Sequence, residues 1–265
     1  MHVLDLISRK IKRRVKRVKQ TYAWMMQNRL ARKRILEECS PASAPIKDLC
    51  RYEAKYYSQH GEDGILLAIF AKIGSTNKYT VEFGVGTGKE CNTRHLIQRK
   101  QWKGLWMTAN DFPRRRWQEI QCEFITAENI NELFEKYSVP REFDLLNIDI
   151  DGNDLWVWKK IESYRPRVVC IEYNGNVPCN EARSIAYDPT FNWAHTAYFG
   201  ASLRALELLA VSKGYVLVGC DSSGTNAFFV DRPLAGHFVP QDLPALFRAP
   251  LPARSDPRTM IEVTF

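Results

Sequence analysis

The sequence predicts an α/β fold with a mainly parallel sheet, because apolar runs of strand length alternate with segments of helix length. These runs are apolar nearly throughout, which is typical of strands that are covered on both faces. The chain has 265 residues, 45% of them hydrophobic, which is enough for one α/β domain with additions.

The predicted elements follow one another along the chain in a simple order. A helical apolar pattern begins in the polar segment after Tyr56 and runs to Lys72. Seven strand candidates follow: 79–83, 104–111, one at the start of 122–137 with a helix after it, 143–150, 167–174, 215–220 and 227–230. The last two are close enough in sequence to form an antiparallel hairpin.

The N-terminal segment 1–38 has its own composition. Residues 1–34 hold twelve Lys/Arg and one acid, a net charge of +11, so the rest of the +8 chain has a net charge of −3. Apolar residues recur there at helical spacing: Leu4, Ile7, Ile11, Val15, Val18, Tyr22 and Met25. The pattern predicts a basic amphipathic helix, which suits an anionic membrane surface. Packing on the body or on a second copy in a homo-oligomer, nucleic-acid binding and mitochondrial targeting stay open.

Composition also divides the rest of the chain and indicates its compartment. We expect a linker at 39–55, a central domain at 56–235 and a Pro-rich tail at 236–265 that packs on the domain. The seven cysteines form no C-x-x-C pair, which favours reduced thiols in a cytoplasmic protein. No apolar run is long enough to span a membrane, and the N-terminus has no secretory h-region.

A glycine-rich turn lies between the first predicted strand and the next helix. It reads E-F-G-V-G-T-G, with Glu82 followed by Gly84, Gly86 and Gly88. Glycines there allow the backbone to approach a ligand at the start of a helix. The third glycine comes one residue too early for a dinucleotide fingerprint. A purely structural strand-to-helix turn is the alternative.

The acid two residues before G-x-G-x-G resembles the first motif of class I S-adenosylmethionine-dependent methyltransferases. More widely, the chain resembles the FkbM-like methyltransferase-domain family, in "YSQHGEDGIL", "VEFGVGTG", "DLLNIDIDGNDLWVWKKI", "IEYN" and "GTNAFFV". The resemblance covers most of residues 56–231. It implies a Rossmann-like class I methyltransferase fold, with a seven-stranded mainly parallel sheet and an antiparallel C-terminal hairpin. It also implies O-methylation of a sugar hydroxyl.

The same resemblance implies a set of residues that bind S-adenosylmethionine. They are Gln59, Glu82, Gly84, Gly86 and Gly88 at the methionine end, Glu128 and Asn129 near the adenine, and Asp149. The acid that usually binds the ribose hydroxyls falls at Thr108 in this chain. Asp111, three residues further on, is the substitute we expect.

Acidic and amide side chains end two successive predicted strands. Asp149 and Asp151 follow one strand, and Glu172 and Asn174 end the next. In a doubly wound sheet these carboxyl ends form the ligand edge. Three roles stay open. Asp149, Asp151 or Glu172 is the catalytic base, with His195 as an alternative base. Asp149, Glu172 and Asn174 bind Mg²⁺, as the resemblance to catechol-type O-methyltransferases implies. Or Asn153 or Asp154 merely caps the helix that starts near Leu155, and Asp149 only accepts backbone hydrogen bonds.

The expected function is methyl transfer from S-adenosylmethionine to a glycan or glycolipid acceptor. Residues 1–38 would hold the protein peripherally at the inner membrane face. An aromatic segment supplies a candidate wall for stacking a sugar: Tyr187, Trp193, His195, Tyr198 and Phe199. Thr108 motivates one alternative, a non-catalytic binding or assembly protein. The basic arm motivates another, an RNA methyltransferase, although the net charge of −3 on the body argues against nucleic acid.

Overall fold

A seven-stranded sheet forms the centre of the protein, whose computed structural model describes residues 2–110, 119–250 and 253–265. The strand order is β3-β2-β1-β4-β5-β8-β7. The strands are β1 (Tyr79–Phe83), β2 (Lys103–Thr108), β3 (Ile120–Cys122), β4 (Glu142–Ile148), β5 (Arg165–Glu172), β7 (Tyr215–Cys220) and β8 (Asn226–Asp231). The five strands from β3 to β5 pair in parallel, and β8 pairs antiparallel with both β5 and β7. The predicted mainly parallel sheet with an antiparallel C-terminal hairpin is confirmed, and it is compatible with a Rossmann-like fold.

Helices cover both faces of this sheet. They are α1 (His2–Glu38), α2 (Glu62–Ile73), α3 (Arg94–Lys100), α4 (Ile130–Lys136), α5 (Asp154–Lys160), α6 (Leu203–Ser212) and α7 (Leu243–Leu246). Neighbouring residues of β4 point to opposite sides: Leu145 packs in a core with Ile69, and Leu146 in a core with Trp158. Burial on both faces explains why the strands read as continuous apolar runs.

A second sheet of two short strands lies outside the main one. It pairs β6 (Arg183–Ser184) with β9 (Ile261–Glu262) antiparallel. Strands of two residues leave no periodicity in a sequence, and these two come from distant segments, so sequence patterns did not predict them.

The C-terminal part of α1 packs on the domain. The Trp24 indole N–H donates to the carbonyl of Lys55 at 2.7 Å, and Asn28 exchanges two hydrogen bonds with the Lys55 backbone at 2.9 Å. Ala31 is buried on the same side. Tyr22 and Met25, from the predicted apolar stripe, are 65% and 57% exposed. The face that packs is therefore not the predicted stripe.

The segment predicted as a linker, 39–55, packs on the domain. The buried Lys72 ammonium donates to the carbonyls of Ser40 and Ala44 at 3.0 and 3.1 Å. Leu49 and Tyr52 bury their side chains from a single 3-10 turn, Leu49–Tyr52. A charge inside a protein must be satisfied, and this loop supplies the acceptors.

The tail packs on the segment that follows β5. The Thr196 hydroxyl donates to the Asp256 carboxylate at 2.6 Å, and the Ala197 N–H donates to the carbonyl of Arg254 at 2.7 Å. The Arg258 guanidinium lies 4.2 Å from the centre of the Tyr198 ring. The tail thereby supports one wall of the cleft described below.

Within the described residues, no helix combines the length and apolar character needed to cross a bilayer.

Candidate functional site

A cleft of about 310 Å³ opens at the carboxyl ends of β1, β2, β3 and β4. This is the edge at which doubly wound sheets bind ligands. Its wall combines residues from four strand ends with a segment after β5: Gly84, Gly86, Thr108, Ala109, Asn110, Glu123, Phe124, Ile125, Asp149, Ile150, Asp151, Asn153, Phe191, Asn192, Trp193 and His195.

The glycine turn brings the backbone against the end of β4. Gly84 has φ +71°, and a Cβ built there would lie 1.5 Å from the carbonyl oxygen of Asp149, so no side chain fits. Gly86 has φ +49°, and its missing Cβ would meet open space. Gly88 does not line the cleft. It packs closely on β3, because a Cβ there would lie 3.0 Å from the Ile120 side chain. Of the three predicted glycines, Gly84 and Gly86 line the cleft and Gly88 shapes the turn.

Glu82 is tied to the segment that begins α3. Its carboxylate accepts hydrogen bonds from the backbone N–H groups of Asn92 and Thr93 at 2.8 and 3.0 Å, from the Thr93 hydroxyl at 2.5 Å and from the Asn147 amide at 3.4 Å. Burial raises the pKa of Glu82 to about 7, and the hydrogen bonds from Thr93 and Asn92 oppose that rise. Glu82, which was predicted to contact the cofactor, therefore uses its carboxylate to hold the start of α3 and the Asn147 side chain.

The end of β2 offers an amide where the resemblance led us to expect an acid. Thr108 and Asn110 both line the cleft, and Asp111 lies outside the described residues. Glu123, after β3, is the nearby acid, but it accepts a hydrogen bond from Lys136 at 2.6 Å and one from the Tyr137 hydroxyl. The Asn110 amide and the Thr108 hydroxyl both offer donors and acceptors suited to hydroxyl groups at this position.

The predicted adenine contacts differ from the observed lining. Glu128 accepts a hydrogen bond from the Tyr187 hydroxyl, and the Asn129 amide bonds the backbone of Thr126 and Phe124 at 2.9 and 2.8 Å. Neither Glu128 nor Asn129 lines the cleft. Phe124 and Ile125, which follow the end of β3 at Cys122, line it instead.

Three carboxylates converge at the ends of β4 and β5. Asp149, Asp151 and Glu172 each offer one oxygen, and these oxygens lie within 4.8 Å of one another. Ile148 pairs with Ile171 in the parallel register, which brings the next residues of both strands together. No hydrogen bond from the described part of the chain reaches these three side chains, and Glu172 Oε2 is buried without a partner.

The neighbours of these carboxyl groups disfavour their charge. Burial, followed by repulsion from Asp151 and other acids, raises the pKa of Asp149 well above its ordinary value. Burial and repulsion from Asp149 raise the pKa of Glu172 in the same way. Burial also raises the pKa of Asp151, although the nearby His195 lowers it. Perturbed acids of this kind concentrate at functional sites.

Asp154 fixes the loop that carries this cluster. Its two carboxylate oxygens accept from the N–H groups of Ile150 and Gly152, both at 2.8 Å. Asp151 lies between these two residues with φ +56°, a left-handed conformation that costs energy in a residue other than glycine. Asn153 is the N-cap residue of α5, but its side chain makes no capping hydrogen bond. Asp154 uses its carboxylate to order the preceding loop instead.

Asn174 does not belong to the converging set. Its amide nitrogen donates to the carbonyls of Ala197 and Phe199 at 2.9 Å, and its oxygen accepts from Asn176 at 3.1 Å. The predicted ligand set of Asp149, Glu172 and Asn174 therefore needs correction. Asn174 holds the following segment in place, and Asp151 takes the third position in the cluster.

Aromatic side chains from the segment after β5 close one side of the cleft. Phe191, Trp193 and His195 line it, and His195 adopts φ +56° with its ring 4.7 Å from that of Trp193. A Cβ on Gly152 would lie 2.4 Å from the Phe191 ring, so this wall packs tightly on the acidic loop. Sequence reasoning missed Phe191, because nothing local relates it to Gly152.

The other members of the predicted wall lie elsewhere. Tyr187 contacts Glu128, Tyr198 lies beneath Arg258, and Phe199 is buried against Trp193. They support the lining residues without facing the cleft.

A smaller cavity of about 60 Å³ adjoins the cleft through Gly84 and Asp149, which line both. Gln59, predicted to contact the cofactor, lines this smaller cavity beside Glu62 and Glu82 and is absent from the lining of the cleft. The Glu62 carboxylate accepts from Asn226 at 2.9 Å and from the His60 N–H at 2.8 Å.

Models of known protein families do not match this chain, and no curated protein matches it either.

Proposed function

We propose that the protein is an S-adenosylmethionine-dependent O-methyltransferase. One observation carries the proposal: the glycine turn and the carboxylate cluster share one cleft at the ligand edge of the sheet. Gly84 and Gly86 let a ligand approach the backbone, and Phe124 and Ile125 give the adenine an apolar surface. Asn110 is within the same wall for the ribose hydroxyls.

The bound cofactor supplies an electrophilic methyl carbon. The chain must then hold a hydroxyl near that carbon and accept its proton. Burial and mutual repulsion raise the pKa values of Asp149 and Glu172, which suits a carboxylate that must take up a proton. Phe191 and Trp193 at the opposite wall offer flat faces for a sugar ring, which supports a glycan or glycolipid as acceptor.

The same carboxylates fit Mg²⁺. Hard oxygen donors suit this ion, and the unpartnered Oε2 of Glu172 is the type of atom that a metal satisfies. Asp149, Asp151 and Glu172 would hold the ion, which would lower the pKa of an acceptor hydroxyl. The basic helix at residues 1–38 supports the further proposal that the enzyme works at an anionic membrane surface.

Calorimetric titration with S-adenosylmethionine tests the proposal through a matched pair of variants. Gly86 and Gly200 have φ +49° and +53°, and a Cβ at either would meet open space, but Gly86 alone lines the cleft. Gly86→Leu should weaken binding roughly tenfold or more by filling the cleft, while Gly200→Leu should bind like the parent. An absence of heat at millimolar cofactor would favour a binding or assembly protein.

Transfer itself is measured with methyl-tritiated cofactor and an extracted glycolipid pool. We expect label in the lipid fraction and a loss of roughly 10²- to 10⁴-fold for Asp149→Asn, because the base is removed. Cofactor binding without any labelled product would refute the acceptor class and leave the cofactor assignment intact.

A further inference from the structure

A second, larger cavity of about 640 Å³ lies between the end of α1, α2 and α3. It shares no lining residue with the cleft. We call it the α1–α3 groove. Its volume lies within the range of small-molecule binding sites, and the proposed methyl transfer assigns it no role.

The floor of the α1–α3 groove is apolar. Ile35, Leu67, Phe70 and Leu96 line it, together with Trp102, whose ring meets that of Phe70 edge to face with centroids 4.6 Å apart. Such a surface binds hydrocarbon, and an inorganic anion alone would leave it unfilled.

The rim of the groove is cationic. Arg32, Lys78, Arg99 and Lys100 line it, and no Asp or Glu does. Within the described parts of the chain, none of the four forms an ion pair. Four uncompensated cations around one concave surface attract an anion.

Three of these four cations, Arg32, Arg99 and Lys100, act on the imidazole of His95. Its ring stacks on Tyr56 with centroids 4.3 Å apart, and its Nδ1 is buried without a partner. Burial, followed by repulsion from Lys100, Arg99 and Arg32, lowers the pKa of His95 to about 4. The imidazole is therefore neutral at pH 7 and cannot supply a further cation there.

We propose that the α1–α3 groove binds an anionic phospholipid, with the phosphate at the cationic rim and the upper acyl chains on the apolar floor. The surrounding surface supports a lipid over a free anion, because Tyr22, Met25 and Leu36 of α1 are 65%, 57% and 75% exposed. They continue the apolar surface along the helix that forms one wall of the groove. This inference does not rest on methyl transfer.

The test uses the full chain and dihexanoyl phosphatidylglycerol below its critical micelle concentration, with the His95 ring signals followed by NMR. We expect a saturable shift and a rise in the pKa of His95, because the phosphate offsets the neighbouring cations. Dihexanoyl phosphatidylcholine, which has the same chains without net charge, and glycerol phosphate, which has no chains, should each bind roughly tenfold or more weakly.

A matched pair of double variants locates the site. Arg99→Gln/Lys100→Gln should weaken phosphatidylglycerol binding roughly tenfold. Lys159→Gln/Lys160→Gln should bind like the parent. Both pairs are exposed and end helices of seven residues, so the two changes have similar effects on folding.

Three results would overturn the proposal. The first is a His95 signal that phosphatidylglycerol leaves unmoved. The second is equal affinity for glycerol phosphate, which would reduce the groove to an anion site. The third is equal weakening by both double variants, which would indicate only general attraction to a basic chain.

Discussion

The two ends of β4 carry the same chemical group in opposite settings. Near the amino end, Asp144 is completely buried and fully partnered: Arg167 lies 2.9 Å away, and the N–H groups of Thr76, Asn77 and Lys78 donate to its oxygens at 2.9, 3.0 and 2.7 Å. At the carboxyl end, Asp149 faces two further acids and receives no hydrogen bond from the described residues.

The difference in hydrogen-bond partners indicates that Asp144 contributes to stability and that Asp149 contributes to function. A buried carboxylate with a cation and several donors makes a net contribution to the fold only while all its partners remain. Three carboxylates gathered without donors oppose folding, and such a cluster is maintained where a substrate proton or a cation completes it. On this comparison Asp144 is structural, and we propose that Asp149, Asp151 and Glu172 form the functional site.

The largest expected effect is on the amino end of β4. Asp144→Ala should lower the free energy of unfolding by about 3–5 kcal/mol, because it leaves the half-buried Arg167 without its carboxylate and three backbone N–H groups without their acceptor. Urea denaturation monitored by circular dichroism measures this change. A loss of less than about 1 kcal/mol in the free energy of unfolding would show that Asp144 is no more important for stability than Asp149.

Glu82 provides an intermediate case, since it is buried but receives four hydrogen bonds. Burial raises its pKa from 4.5 to about 7, so the folded state binds this proton more tightly than the unfolded chain. The contribution of Glu82 to stability is therefore largest below pH 4.5 and falls as the pH rises to about 7.

That dependence is measured as the difference in unfolding free energy between pH 5 and pH 7.5. Glu82→Gln should reduce the difference by about 1–3 kcal/mol, because the variant has no proton to lose. The exposed control Glu162→Gln should leave it unchanged. An identical pH dependence in the parent and in Glu82→Gln would contradict the assignment.

The smallest effect concerns the carboxyl end of β4. Asp149→Asn should leave the free energy of unfolding at pH 7.5 unchanged or raise it by about 1 kcal/mol, since it removes one of three repelling acids. Denaturation of this variant beside Asp144→Ala gives the comparison directly. A loss of more than about 2 kcal/mol would show that Asp149 has structural partners after all.

The sequence predicts the sheet and most of the acidic cluster for the same reason. Long apolar runs indicate buried parallel strands, and such strands place their carboxyl-end residues at one edge. Asp149 and Glu172 follow from that rule alone. Asn174 does not follow this rule, because it lies beyond the end of β5. Its amide instead donates to the carbonyls of Ala197 and Phe199, more than twenty residues away.

Contacts between distant segments account for the remaining differences. The packing of Phe191 against Gly152 depends on where the segment after β5 returns to the sheet. The helix α1 has two apolar faces, and sequence periodicity favoured the one containing Tyr22, whereas Ala31 and Ile35 pack on the domain. Periodicity finds an amphipathic face but not the surface that covers it.

A cofactor-bound crystal structure, grown with and without Mg²⁺, shows whether the cleft binds S-adenosylmethionine and whether the three carboxylates bind the ion. We predict that S-adenosylmethionine lies across Gly84 and Gly86, with its adenine beside Phe124 and its methyl carbon directed toward Asp149 and Glu172. Cofactor bound outside this cleft, or a cleft without cofactor at saturating concentration, would show that the glycine turn and the carboxylate cluster do not form a methyl-transfer site.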